Sequence, residues 1–140
     1  MKTEKCPFCN IDLKRTRILD ETKNTFVLIS NPVLVPSHLL VIPKKHIQKL
    51  SELNQEERIE LFNQVIKFEE KLLKKFKGCD IRQNFRPFQK NGGIKVEHLH
   101  INLQPREFED ELYKKCQIHE TNIFHMLNQQ ELDKVQKEVK

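Results

Sequence analysis

Alternating polar and apolar residues across positions 94–106 constrain the fold most tightly. Between positions 96 and 104 every second residue falls on one face of an extended strand, gathering His98, His100, Asn102 and Gln104. Leu99, Ile101 and Leu103 fall on the opposite face, which needs a core to cover it. Two imidazoles and an amide in a row make a reaction surface, because imidazole titrates near neutrality and serves as nucleophile, proton carrier or metal ligand. The plain alternative is a half-exposed strand with incidental polar residues, and spacing alone does not separate the two.

The chain has 140 residues, enough for one domain with a core. No apolar run approaches the roughly 20 residues that cross a bilayer. The start, Met1-Lys2-Thr3-Glu4-Lys5, is too polar for a secretory signal, so a cytoplasmic location without membrane contact is expected. In that setting Cys6-Pro7-Phe8-Cys9 points to metal binding rather than to disulfides, although Cys-x-x-Cys also occurs in redox motifs. Cys79 and Cys116 stand alone and read as ordinary thiols. The net charge of +5 suits an anionic substrate, but Lys and Arg are spread among acids, which describes a solvated surface and no specific nucleic-acid partner.

Residues 6–13 read as a knuckle carrying the paired cysteines. Residues 25–30 are β-rich and end at Asn31-Pro32, and residues 38–42 form a second strand stopped by Pro43. Asn54 followed by Glu57 offers a capping box. Beyond it Ile59, Phe62, Val65, Ile66, Leu72, Leu73 and Phe76 recur at helical spacing up to Gly78, a natural stop. Residues 80–86 read as a strand, and Lys90-Asn91-Gly92-Gly93 as a turn into the polar strand. Helical stretches are expected over 107–126 and 129–139, with His119 and His125 as surface or interface residues.

Three ordered blocks carry a family resemblance. Gly93-Ile94-Lys95-Val96-Glu97-His98-Leu99-His100-Ile101-Asn102, followed by Pro105-Arg106, resembles the signature of the histidine triad (HIT) nucleotide hydrolases and transferases. The segment from Asn31-Pro32 through Pro36-Ser37-His38 and the run Leu39-Leu40-Val41-Ile42 to Pro43-Lys44-Lys45-His46 is similar to that family's Pro-Gly-His, hydrophobic, Pro-Lys-Lys-His block. Cys6-Pro7-Phe8-Cys9 resembles the start of its zinc-containing, bacterial-type members. The blocks cover about residues 6–106, leaving 107–140 as a helical C-terminal extension of a single domain. The resemblance implies an α+β fold: an antiparallel sheet with flanking helices, one long helix plus C-terminal helices, in a homodimer.

It also implies that His100 attacks an α-phosphate and forms a nucleotidyl-histidine, with His98 and Asn102 completing the triad. Asn102 departs from the family's third histidine; an amide donates a hydrogen bond but gives up no useful proton. Branches with an amide there tend to be transferases. Ile94 and Lys95 stand where many members have Gln and Ser or Thr near the phosphate.

Cys6 and Cys9 can share one zinc ion, and structural zinc takes four nitrogen or sulfur ligands. Zinc-bearing members suggest His46 and His98 for the other two, which would hold the neighbourhood of His100 without making His98 an acid or base. The resemblance places the ribose near Ser30 or Asn31; the turn at Gly93 supplies N–H donors to phosphate, and Gln104 shares the face of His100. His38 is a candidate to orient His100. Phe26, Ile29 and Val41 line either a base pocket or plain core.

The expected activity is hydrolysis at the α-phosphate of dinucleoside polyphosphates or nucleoside phosphoramidates. The alternatives are a nucleotidyltransferase or phosphorylase, and a zinc-stabilised nucleotide-binding module without turnover.

Overall fold

The computed structural model describes residues 3–90 and 95–140. Five strands form one sheet: β1 (Ile18–Glu21), β2 (Thr25–Ile29), β3 (Leu39–Pro43), β4 (Gly78–Arg82) and β5 (Ile101–Arg106). Their spatial order is β1-β2-β3-β5-β4, and every neighbouring pair is antiparallel. The long helix α1 (Gln55–Leu73) follows a short 3-10 turn at Leu50–Glu52. The α+β architecture with an antiparallel sheet and a long helix is therefore as expected.

Alternation in the central strands builds two layers of core. Val27, Leu39, Val41, Ile101 and Leu103 face α1 and pack on Leu61, Val65, Phe68 and Leu72. Each fully buried aliphatic side chain of this kind stabilises the fold by about 1.5–3 kcal/mol. Leu28, Leu40 and Ile42 face the other way and are covered by Phe8, Ile11, Ile18 and Phe26, so the N-terminal segment is the lid of the second layer. Val41 is fully buried under α1, which assigns it to core and removes it from a base pocket.

Helix α1 begins as its sequence dictates. The Asn54 side chain accepts from the Glu57 N–H while Glu57 Oε1 accepts from the Asn54 N–H. It ends at Leu73, five residues before Gly78, which instead opens β4 and lies against Arg106. Helical periodicity up to Phe76 overran the helix, because Phe76 packs on the same core from the connecting turn.

The polar strand is shorter than its alternation suggests. β5 starts at Ile101, and residues 95–100 lie outside the ladder. Pairing runs Leu39↔Leu103, Leu40↔Asn102 and Val41↔Ile101; two steps on, the register would meet Pro43, which has no N–H to donate. The Leu99 N–H turns to the Ile47 carbonyl instead, at 2.6 Å. The strand foreseen over 80–86 is β4, which closes at Arg82, and β1 was not foreseen.

Two compact units divide the chain, residues 1–108 and 109–140. The second holds a π-helical turn (Tyr113–Gln117), α2 (Ile118–Thr121) and α3 (Gln129–Val139), the last capped by a reciprocal Asn128–Glu131 pair. Residues 122–128 interrupt the helix expected over 107–126. No helix among the described residues is long and apolar enough to cross a membrane.

Candidate active site and metal centre

Cys6 and Cys9 face each other across a tight turn in which the Cys9 and Asn10 N–H groups donate to the Cys6 carbonyl. The Asn10 amide fastens this knuckle by donating to the Thr3, Glu4 and Cys6 carbonyls. Sequence reasoning missed Asn10, whose signal is an amide placed directly after the second cysteine. Cys6 is buried, and burial pushes its thiol up from the ordinary value.

His46 and His98 close on the same point. Cys6 Sγ lies 3.4 Å from His98 Nδ1, and Cys9 Sγ lies 3.3 Å from His46 Nδ1 and 3.6 Å from His98 Nδ1. The two Nδ1 atoms are 3.2 Å apart. All four candidate ligand atoms lie within 4.8 Å of one another, so these residues could hold one metal ion. The tautomer of His98 agrees: its Nε2–H donates to the Pro43 carbonyl at 2.8 Å, which leaves the Nδ1 lone pair aimed into the cluster. Burial holds His98 below the usual histidine range, in the neutral form a ligand needs.

Two residues on, His100 has the opposite arrangement. Its Nδ1 lies 2.7 Å from the His98 carbonyl, which can only accept, so Nδ1 carries the proton and Nε2 keeps its lone pair. Burial keeps this imidazole below the ordinary value as well. Phe8 stands edge-on to both rings, 5.8 Å from His98 and 5.3 Å from His100. Phe8 also lines a cleft of about 310 Å³ with Cys9, Ile11, Ile18, Phe26, Glu21 and Lys44. Lys44 pairs with Glu21 at 2.6 Å and lies over the Phe26 ring. Phe26 therefore belongs to a cleft wall, a role that the sequence left open; Phe8 was missed, although its place between the two cysteines ties it to their turn.

Asn102 is buried and fully directed. The Leu34 N–H donates to His38 Nδ1, so His38 Nε2 carries the proton and donates to Asn102 Oδ1 at 2.9 Å. The Asn102 amide nitrogen donates in turn to the Arg82 carbonyl. His38 thus positions Asn102, not His100 as the sequence suggested; it reaches inward because Ser37 turns the chain at φ 62°. That left-handed backbone is the conformation glycine favours, at the position where the related block has glycine.

Gln104 is 3% exposed, and its Oε1 has no hydrogen-bond partner among the described residues. The Ser30 hydroxyl donates to the Pro32 carbonyl, and the Asn31 amide to the Arg15 carbonyl. Gly93 lies outside the described residues. Cys79 packs half-buried on the core with its thiol pushed up to about 11, chiefly by burial, and Cys116 is exposed.

Residues 13–109 match the HIT domain model. Over 110 residues the chain is 28% identical to the bis(5'-adenosyl)-triphosphatase of Dictyostelium discoideum, covering 75% of this chain and 73% of that protein. It is 27% identical over 117 residues to the nitrilase and fragile histidine triad fusion protein NitFhit of Caenorhabditis elegans; the match covers 81% of this chain but spans 26% of that protein's length. Among solved structures, a HIT family hydrolase from Clostridium thermocellum superposes with a TM-score of 0.62 at 28% identity, covering 78% of this chain and 96% of that one. A HIT family protein from Bacillus anthracis gives 0.64 at 25% identity over 99% and 100% of the two chains. With its sheet order, the histidines leading into β5 and a domain match across most of its length, the chain belongs to the HIT domain family.

Proposed function

We propose that this protein is a nucleotide hydrolase acting at the α-phosphate of dinucleoside polyphosphates or nucleoside phosphoramidates. The observation that carries the reading is the tautomer of His100: Nδ1–H is held by the His98 carbonyl, and the Nε2 lone pair stays available beside the Phe8-lined cleft. Nε2 attacks the α-phosphorus, a P–N bond forms, and the P–O or P–N bond to the leaving group breaks with its electron pair departing on that group. Water then attacks the nucleotidyl-histidine, loses its proton to solvent, and restores the imidazole. The cleft takes the base, Ser30 or Asn31 the ribose, and Gly93, Gln104 and Asn102 the phosphate side.

Cys6, Cys9, His46 and His98 are proposed to bind zinc. A tetrahedron with bonds of about 2.3 Å to sulfur and about 2.0 Å to nitrogen has S···N edges of about 3.5 Å and N···N edges of about 3.3 Å. Four of the six ligand-atom separations, at 3.2–3.6 Å, match those edges. Bound there, the ion cross-links the N-terminal knuckle to the segment carrying His100, a structural role. Four free cysteines accord with a cytoplasmic protein. A homodimer is supported by the apolar stripe Ile59, Phe62 and Ile66 left exposed along α1.

Transferase chemistry is the second reading, favoured by Asn102, whose Oδ1 and one amide hydrogen are already committed. The test follows an α-labelled dinucleoside tetraphosphate through single turnover, with His100→Ala as the control. Labelled mononucleotide released into water supports the hydrolase. Label retained on the protein until phosphate is added makes it a transferase. Nucleotide binding without turnover in the wild type leaves a binding module.

A further inference from the structure

We propose that Arg82 is a further catalytic residue, its guanidinium holding the charged oxygens of the α-phosphate while His100 attacks. This rests on the covalent reading above and adds the source of positive charge that the triad of this chain lacks. His100 must be neutral to act as nucleophile, and Asn102 and Gln104 carry no charge. Yet the pentavalent transition state spreads its negative charge over the equatorial oxygens, where fixed cationic donors contribute most.

Three other cations of these segments are otherwise engaged. Lys44 is held by Glu21 at 2.6 Å, and Arg106 is bound to Asp80. Lys95 donates to the Gln89 carbonyl at 2.8 Å and lies 3.6 Å from Glu97. Arg82 differs. Among the described residues its guanidinium has no hydrogen-bond or ion-pair partner, and the residue is exposed.

Its place in the sheet aims it at the reaction. Arg82 is the direct cross-strand partner of Asn102, and paired residues of an antiparallel ladder project from the same face. That face is the one turned away from α1, where His38 meets Asn102. Its charge already reaches His38. His100 lies two positions before Asn102, about 7 Å along an extended chain, and the strands stand about 5 Å apart. A long side chain starting opposite Asn102 is therefore able to reach over His100. The backbone carbonyl of Arg82 takes the Asn102 amide hydrogen, so the strand that presents the guanidinium is tied to the triad. A guanidinium gives up no proton at neutral pH, so Arg82 stabilises charge and leaves proton transfer to other groups.

The test compares wild type, Arg82→Gln, Arg82→Lys, Arg82→Ala and His100→Ala in single turnover on a labelled dinucleoside tetraphosphate. Arg82→Gln is expected to lower the rate of nucleotidyl-histidine formation about 100-fold with unchanged thermal midpoint. Arg82→Lys keeps part of that rate, and added guanidinium ion restores Arg82→Ala. A rate within about twofold of wild type in Arg82→Gln overturns the assignment while leaving the covalent reading intact. So does a loss that tracks a fall in thermal midpoint and resists guanidinium rescue. A wild type that never labels His100 defeats the covalent reading first, and the role of Arg82 with it.

Discussion

His38 and Asn102, 64 residues apart in sequence, are joined by one hydrogen bond of 2.9 Å whose direction is fixed at both ends. The Leu34 N–H occupies His38 Nδ1, so Nε2–H must donate; Asn102 must accept through Oδ1, because its nitrogen donates to the Arg82 carbonyl. Three strands, β3, β5 and β4, are thereby linked through one amide that sits where the family's third histidine would be.

Removing that amide leaves one buried and one part-buried group without partners. Asn102→Ala strips the acceptor from the buried His38 and the donor from the part-buried Arg82 carbonyl, and a buried unsatisfied group costs about 1–3 kcal/mol. Urea denaturation is expected to show a loss of at least about 1 kcal/mol; a midpoint equal to wild type would mean that water replaces both bonds freely.

The same pair predicts a pH dependence. Burial lowers the His38 pKa below the ordinary 6.5, the bond to Asn102 opposing it. Above about pH 6.5 both folded and unfolded chains hold this histidine neutral, and its whole contribution to stability is present. As pH falls from there towards the folded value, the unfolded chain takes up the proton first and the contribution is lost. The stability gap between wild type and His38→Gln should therefore narrow between about pH 7.5 and about pH 5.5. A gap that holds constant across that range would show that His38 does not titrate with folding.

How much of this was legible depended on the range over which each signal acts. The α1 capping box is local, three residues apart, and reads directly from Asn54 and Glu57. The two-faced alternation of Leu99, Ile101 and Leu103 against Asn102 and Gln104 is equally local and survives in the core. What escaped were the consequences of pairing. The start of β5 at Ile101 is set by Pro43, a residue on a different strand. The partner of His38 is set by register across β3 and β5, so the sequence pointed to His100 where the structure has Asn102. β1 carries only four residues with alternating exposure, too short a pattern to stand out from its neighbours. The spacing of Cys6 and Cys9 pointed to metal by itself, but resemblance supplied His46 and His98, because no local rule links Cys6 to a histidine 92 positions away.

Removing the proposed zinc should loosen the N-terminal knuckle before the sheet. The Cys6–Cys9 turn contributes Phe8 and Ile11 to the second core layer, while the α1 layer has its own buried aliphatics. An ion present at about 100 times its Kd adds about 2.7 kcal/mol, and a loss of that size lowers Tm by on the order of 10 °C in a chain of this length. Mass spectrometry under native conditions should find one zinc per chain, and chelation should lower Tm while retaining a cooperative transition. Cys9→Ser should reproduce both effects. Full zinc occupancy in Cys9→Ser would remove that thiolate from the ligand set.

In the covalent mechanism proposed above, the fate of the nucleotidyl intermediate turns on Asn102. An amide can donate to a phosphate oxygen through its second N–H, but it cannot take a proton from an incoming water, so the hydrolytic half-reaction relies on solvent as base. Histidine fits the same hydrogen bonds in one neutral tautomer: a ring nitrogen accepts from His38 Nε2–H, and the other N–H donates towards the Arg82 carbonyl. On protonation or ring rotation it would also offer proton transfer near the phosphorus. Asn102→His is therefore expected to raise the rate at which water discharges the labelled protein by at least about 10-fold, with little change in the rate of labelling by His100. The measurement is a chase of pre-labelled enzyme into water alone and into water with phosphate. A faster discharge into water, with phosphate no longer favoured, would establish that Asn102 biases this chain towards transfer. An unchanged ratio of the two acceptors would mean that access of the acceptor to the phosphorus, and not the basicity of residue 102, decides between hydrolysis and transfer.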